Sequence, residues 1–269
     1  MQMVAASKMR RAQQAALAGR PYAELMNKVL AEVSAGAGEF SHPLIEAGKG
    51  EKRALIVVSS DKGLCGGLNS NLFREVSKVS KESTVFISAG RKASQFLART
   101  KRDLAAEFSY KDAPQFAEAR AISKMAQDMF LKGEVSGVDI FYTNFISTLV
   151  QKPEIKTFLP IAEIQGIEAG VDGESNEKAL EAGNTEFIFE PNPQDVFGNL
   201  LPHYLNFQMY QFLLESKASE HSARMVAMKS ATDNAQQMIK DLTLEFNKLR
   251  QSMITNELLE IPSAAMALG

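Results

Sequence analysis

PQDVFGNLLPHYLNFQMYQFLLESKASEHSARMVAMKSATDNAQQMIKDLTLEFNKLRQSMITNELLEI, residues 193–261, is the stretch around which the rest of the chain is organised. Its apolar residues fall on two seams. One runs through Phe197, Tyr204, Gln211, Ala218, Met225, Thr232, Ile239, Phe246 and Met253. The other runs through Leu200, Phe207, Leu214, His221, Met228, Ala235, Leu242, Leu249 and Asn256. A 3.5-residue period sustained this long predicts one helix of a left-handed coiled coil. Pro193 suits a helix start, and Asp195 suits the positive end of the helix dipole. Pro262 is expected to stop the helix, and Pro202 to kink its first turns or delay its start. At 1.5 Å per residue the helix spans ~100 Å. A compact globule of this chain length is only about 50 Å across. The helix is therefore expected to project as a rod.

Composition sets the outer limits. The chain has 269 residues, 45% of them hydrophobic, and a formal net charge of -2. That suffices for one good core plus an appendage, and the charge favours neither nucleic acid nor a membrane surface as partner. No apolar run is long enough to cross a bilayer, and no secretory signal leads the chain. With one cysteine, Cys65, no internal disulfide can form, which fits a reducing compartment. The 12 methionines include several on the helical seams, where thioethers adapt to uneven contacts.

A second helix is expected over residues 1–33, with the seam Ala5, Met9, Ala12, Ala16, Gly19, Ala23, Met26, Leu30 and Val33. The small residues permit close approach of a partner helix. Pro21 should kink it, and Gly36 and Gly38 should end it. Lys8, Arg10, Arg11 and Arg20 precede the first acid, Glu24, so this helix opens on a basic face, either solvated or turned to a polar partner. The two terminal helices are expected to pair antiparallel. The first is too short to cover the second, which leaves Ile239, Leu242, Phe246, Leu249 and Met253 without an internal partner.

Between the helices, strands and helices alternate. Strands are predicted at 53–59, 84–88, 104–108 and 138–142, with helices at 68–79, 91–99 and 116–131. This is the pattern of a doubly wound, mostly parallel sheet. Residues 155–159 and 187–189 read as added, antiparallel strands. Residues 163–186, rich in Gly, Glu and Asn, read as a mobile excursion. The fold class is thus α/β: a long antiparallel coiled coil of N- and C-terminal helices with an inserted sheet domain. The boundaries fall at 1–40, 41–191 and 192–269.

Asp61-Lys62-Gly63-Leu64-Cys65-Gly66-Gly67-Leu68-Asn69 lies between a strand and a helix, where dinucleotide enzymes place a phosphate loop. The spacing is not G-x-G-x-x-G, and no Gly-Lys-Ser/Thr follows, so a tight turn is the simpler reading. His42, His203 and His221 lack metal-ligand spacing, and no nucleophile with its base stands out. No catalytic residue, cofactor or metal is expected.

Taken together, that loop and several longer motifs resemble the γ subunits of F-type ATP synthases. The motifs are Met3-Val4-Ala5-Ala6-Ser7-Lys8-Met9-Arg10, Arg20-Pro21-Tyr22-Ala23, Ala223-Arg224-Met225-Val226-Ala227-Met228-Lys229-Ser230-Ala231-Thr232-Asp233-Asn234 and Lys248-Leu249-Arg250-Gln251-Ser252-Met253-Ile254-Thr255-Asn256-Glu257-Leu258. The resemblance implies a non-catalytic rotor shaft turning inside a ring of α and β subunits. Its sheet domain would stand as a foot on the membrane c-ring beside the ε subunit. Location would be peripheral, at the cytoplasmic face of the bacterial inner membrane, with membrane contact only through the complex. By the same resemblance Met1, Arg250, Gln251 and Thr255 face the β lever or its bearing, together with Lys8 and Arg10. Glu220 and Arg224 match the lower contact with β. Asp61 and Cys65 match the foot surface near ε, and Glu190 the edge facing the ring. The family continues the first helix ahead of Met1 by roughly 35 Å at 1.5 Å per residue, so either Met1 is an internal start or the chain is truncated. The paired cysteines of the redox-regulated photosynthetic form are absent. A nucleotide-binding dehydrogenase and a passive coiled-coil scaffold are the competing readings.

Overall fold

A computed structural model describes residues 1–19, 21–23, 25, 26, 28–30, 42–46, 48–161 and 192–268. The elements in order are α1 (Gln2–Ala18), β1 (Lys52–Val58), α2 (Leu68–Lys78), β2 (Thr84–Ala89), α3 (Arg91–Arg99), β3 (Leu104–Phe108), α4 (Phe116–Leu131), β4 (Val135–Phe145), β5 (Gln151–Leu159) and α5 (Pro193–Leu268). The chain divides into two units, Met1–Val226 and Ala227–Gly269. The expected excursion at 163–186, the strand at 187–189, Glu190, and Arg20, Glu24, Val33, Gly36 and Gly38 lie outside the described residues. So do the expected boundaries at 40 and 191.

In the first unit the five strands lie in the order β3-β2-β1-β4-β5. The first four neighbours run parallel and β5 pairs antiparallel with β4. The unbroken apolar run of β1 follows from cover on both faces. Leu55 and Val57 pack with Leu72 and Val76 of α2 and Ala93 and Leu97 of α3. Ala54, Ile56 and Val58 face the opposite layer, with Ala119, Ile122 and Ala126 of α4. Each fully buried Ile or Leu contributes about 2 kcal/mol by leaving water. Glu118 fixes the start of α4, its carboxylate accepting the Gln115 backbone N–H at 2.9 Å. β4 and β5 are longer than their apolar runs predict. Thr143 and Asn144 interrupt the run in β4, yet the hairpin ladder carries on through them to Phe145↔Gln151. Pro153 sits in β5, at the end of the strand order, where proline is tolerated.

The terminal helices also pack on the α4 side. Met26 and Leu30 join Leu201, Tyr204, Leu205, Met209 and Leu213 in the core beneath β1. Their register is antiparallel: Ala12 clusters with Ala218, Gly19 lies against Gln211, and the Tyr22 ring meets Phe207 at 4.8 Å. Positions rise along one helix as they fall along the other. A Cβ on Gly19 would come 2.2 Å from the amide nitrogen of Gln211, the far end of a flexible side chain that could turn aside.

Two proline expectations, a late start at Pro202 and a stop at Pro262, are corrected, while that for Pro21 is met. α1 ends at Ala18 with Gly19 as its cap, and the described residues from Pro21 to Leu30 are again helical. The interruption at Gly19, just ahead of Pro21, agrees with the break in the helix expected there. α5 begins at Pro193 and runs through Pro202. Its start is fixed by Asn192, whose side-chain oxygen accepts the Asp195 N–H at 2.8 Å.

In the second unit the helix continues to Leu268, passing Pro262 rather than stopping there. The ring removes one donor, to the Leu258 carbonyl, but helical φ suits proline and an exposed helix leaves that carbonyl to water. Every residue of 229–263 is exposed, including the seam Ile239, Leu242, Phe246, Leu249 and Met253.

Gly90 has φ +107°, and a Cβ there would lie 2.2 Å from the Ser59 carbonyl oxygen. Gly90→Ala is expected to destabilise the chain by at least about 2 kcal/mol, read as a lower urea midpoint. A wild-type midpoint would show that the β1 and β2 ends can separate at no cost.

Candidate functional site

The strand order turns back on itself between β1 and β4, because β2 and β3 lie to one side of β1 and β4 to the other. Sheets of this kind hold ligands in the crevice beyond the strand ends at that point. Here α5 lies across it. The loop after β1 uses its polar groups internally. The Ser59 hydroxyl accepts the Ala93 N–H at 2.8 Å, and Asp61 accepts the Arg91 N–H at 2.9 Å. Asn69 donates to the Ser60 hydroxyl at 2.7 Å and to Cys65 Sγ at 3.3 Å. Leu64 takes φ 64° and Gly66 φ 58°, so the loop curls with a leucine in the left-handed region.

Residues 216–222 of α5, Ser-Lys-Ala-Ser-Glu-His-Ser, are buried all round the helix. A polar stretch in that position requires partners on every side. Glu220 accepts from Lys217 at 2.9 Å and from Arg224 at 2.7 Å. Arg224 then reaches the loop after β1, donating to the Gly63 carbonyl from Nε at 3.3 Å and from Nη2 at 3.2 Å, and to the Lys62 carbonyl at 3.4 Å. The Lys217 ammonium lies 4.5 Å from the centre of the Tyr110 ring. Tyr110 donates to the Ser59 carbonyl at 3.0 Å. Burial, with the charges of Glu220, Asp61 and Glu118, pushes its phenol well above the ordinary range. Ser219 donates to the Thr143 carbonyl at 3.0 Å and Ser222 to the Thr148 carbonyl at 2.7 Å. His221 Nδ1 is 3.2 Å from Arg224 Nη1, and among the described residues its buried Nε2 and the Ser216 hydroxyl have no hydrogen-bond partner.

This arrangement holds rather than reacts. The loop presents two carbonyl oxygens to the crevice, already met by a guanidinium, whereas a phosphate site offers N–H groups. Lys217 and Glu220 neutralise each other, and their atoms are spoken for.

The expected site residues fall into three groups. Met1, Arg10, Arg250, Gln251 and Thr255 are exposed, with the Thr255 hydroxyl donating to the Gln251 carbonyl at 2.8 Å. Lys8 pairs with Asp112, whose carboxyl is lowered first by that hydrogen bond. Glu220 and Cys65, expected on partner-facing surfaces, are instead 2% and 3% exposed. Burial follows from their bonds: Glu220 is enclosed by its two cations, Cys65 by Ser60 and Asn69. Arg224 is turned inward to the same cluster, while Asp61 caps α3. Glu190 lies outside the described residues. Lys217, Ser219, Ser222 and Tyr110 were not singled out from sequence. The available signal was a polar run across both seams of an otherwise apolar helix.

Glu220→Ala leaves the Lys217 ammonium buried without a counter-charge, so a loss of about 3 kcal/mol is expected. Urea unfolding measures it, and an unaltered midpoint would show that the pair is solvated. Burial lowers the His221 pKa, with Arg224 and Lys217 adding to the effect and Glu220 and Asp112 opposing it. A lowered folded value makes the unfolded chain bind the proton first. Stability is then full above about pH 6.5 and falls as pH drops below it. The window of Asp112 lies lower, below about pH 4. His42 is shifted in the same direction as His221, so comparison with a variant is needed. The fall in urea midpoint between pH 7.5 and 5.5 should be smaller in His221→Gln. Equal falls would exclude His221 as a contributor.

The family model described as ATP synthase matches residues 1–268. The ATP synthase gamma chain of Opitutus terrae is 43% identical over 272 residues, covering 99% of this chain and 91% of that one. That of Methylacidiphilum infernorum is 41% identical over 274 residues, covering 100% and 92%. Among solved structures, a central-stalk chain of the Tetrahymena thermophila mitochondrial ATP synthase aligns with TM-score 0.64 and 27% identity, over 86% of this chain and 97% of that one. A chain of the Euglena gracilis enzyme shares the fold, with TM-score 0.62 and 17% identity over 98% and 95%. The chain therefore belongs to the ATP synthase gamma-chain family.

Proposed function

We propose that the chain is the central-stalk rotor of an F-type ATP synthase and catalyses nothing by itself. The observation that carries this reading is the helix of the second unit. Over residues 229–263 every position is exposed, yet the apolar seam persists through Ile239, Leu242, Phe246, Leu249 and Met253. Exposed apolar surface of that extent marks an interaction face, and the central-stalk chain it resembles is the kind of protein that has one. Its occupants are the α and β subunits of the catalytic ring. The foot, residues 41–191, meets the ε subunit and the c-ring, while residues 1–40 and 192–269 supply the shaft.

The shaft's work is differential contact. As an asymmetric helix turns, each β subunit meets a different face and its conformational populations shift. Arg10, Arg250, Gln251 and Thr255, all exposed, supply polar contacts to the ring and the exposed Met1 an apolar one; Lys8 is held in its pair with Asp112. Asp61 faces the ε subunit, and Glu190 belongs to the edge toward the c-ring. No described helix is long and apolar enough to cross a membrane. Attachment is through the complex, at the cytoplasmic face of the bacterial inner membrane.

Co-expression with α and β subunits should yield a complex that retains the chain through purification; recovery of the ring without it would sink the role. Arg250→Ala combined with Gln251→Ala should lower ATP turnover by the reassembled complex several-fold. Both side chains are exposed, so thermal unfolding of the isolated chain should stay within about 0.5 kcal/mol of wild type. Unchanged turnover would remove these two from the contact set.

A further inference from the structure

The polar cluster on α5 is arranged on two sides. At 100° per residue, Ser219 and Ser222 point roughly 150° away from Glu220 and Arg224 around the helix. The serines bond carbonyls of Thr143 in β4 and Thr148 in the turn that follows it. Arg224, steadied by Glu220, bonds the carbonyls of Lys62 and Gly63 after β1. Both sets of acceptors are backbone atoms of one sheet domain, at the ends of adjacent strands.

We propose that these residues form a two-jawed grip that sets the rotation of α5 about its own axis within the α/β domain, so that torque crosses between shaft and foot at this level. The proposal rests on the rotor reading and adds to it the place where force is transmitted.

Apolar contacts alone would serve this purpose poorly. They are non-directional, and a coiled-coil seam offers similar surface after a shift of one turn. Hydrogen bonds to fixed carbonyls are lost on a small rotation, and those from a guanidinium are the stronger kind. Opposed jaws also resist rotation in both senses, because turning the helix either way opens bonds on each side. Burial strengthens this, since water does not reach the serine hydroxyls to replace a broken bond.

The residues involved are positioning residues, and the test reads coupling rather than stability. Membranes carrying the whole complex are prepared with wild type, Arg224→Gln, Arg224→Lys and the double variant Ser219→Ala/Ser222→Ala. ATP hydrolysis and hydrolysis-driven proton pumping are measured on the same membranes, normalised to assembled chain. The double serine variant removes two hydroxyls and no charge, so it carries the test independently of Arg224. The expected result is a pumping-to-hydrolysis ratio at least threefold below wild type in Arg224→Gln and in the double variant, with Arg224→Lys closer to wild type. A ratio equal to wild type in both would overturn the grip. So would a proportional fall of both activities, which is the mark of a merely structural role. Wild-type membranes without coupled pumping would instead overturn the rotor reading on which it rests.

Discussion

A helix can bury only what another segment covers, and that constraint organises this chain. α5 is 76 residues long, and its surroundings change along it. Near Leu201, Tyr204 and Leu205 it lies in the main core with α4 and with Met26 and Leu30 of the first helical segment. At Ala218 it meets Ala12 and Phe145. From Lys229 onward it is exposed at every described position through Ser263. The seam residues do not change character at that point. The same period runs through buried Leu214 and exposed Phe246. Identical patterning with opposite burial separates a helix that has its partner from one that awaits it.

The α/β domain uses a nucleotide-binding architecture for a different purpose. Its strand order creates the crevice beyond β1 and β4, and its loop carries the glycines that commonly approach a ligand closely. Yet Gly63 contributes its carbonyl to Arg224, and Cys65 and Asn69 close the loop on itself. The fold leaves a notch beyond the ends of β1 and β4, and a helix from the same chain lies across it. Function follows from what sits in the notch, not from the fold that forms it.

Much of this was legible in the residues. Helices at Arg91–Arg99 and Phe116–Leu131 and the strand Leu104–Phe108 stand where their periodicity places them. The small-residue seam of the first helix is buried at Ala5, Ala12 and Ala23. Pro202 and Pro262 misled because proline removes one donor while its φ remains helical, and at both the helix runs on. The site was harder. A heptad reading of residues 216–222 retains Ala218 and His221 and assigns Lys217, Ser219 and Ser222 to a wet face. The partners of the two serines are backbone carbonyls more than seventy positions away, those of Thr143 and Thr148. Carbonyls have no sequence signature. Glu220 and Arg224 were conspicuous as charges, but a charged pair at i,i+4 reads the same whether it faces solvent, a partner or the interior.

The choice of charge for that interior position follows from what apolar packing cannot supply. A buried ion pair is seldom more stable than well-packed apolar residues of equal volume, because desolvation offsets most of the attraction. Stability alone would therefore favour continuing the Leu and Met of the seam through 217, 220 and 224. That substitution would also make adjacent turns of the helix nearly equivalent to the sheet domain, and equivalence permits slippage. Glu220 holds Lys217 and Arg224 along the helix itself, and one setting of that helix brings the Lys62 and Gly63 carbonyls within reach of Arg224 with the serines seated opposite. Another setting would keep these two pairs, which lie on one helix, but would part Arg224 from the Lys62 and Gly63 carbonyls and the serines from those of Thr143 and Thr148, leaving buried polar groups unpaired. The cluster makes a modest net contribution to folding and favours one register through its directional bonds to the sheet domain, which suits a helix proposed to hold its orientation under load.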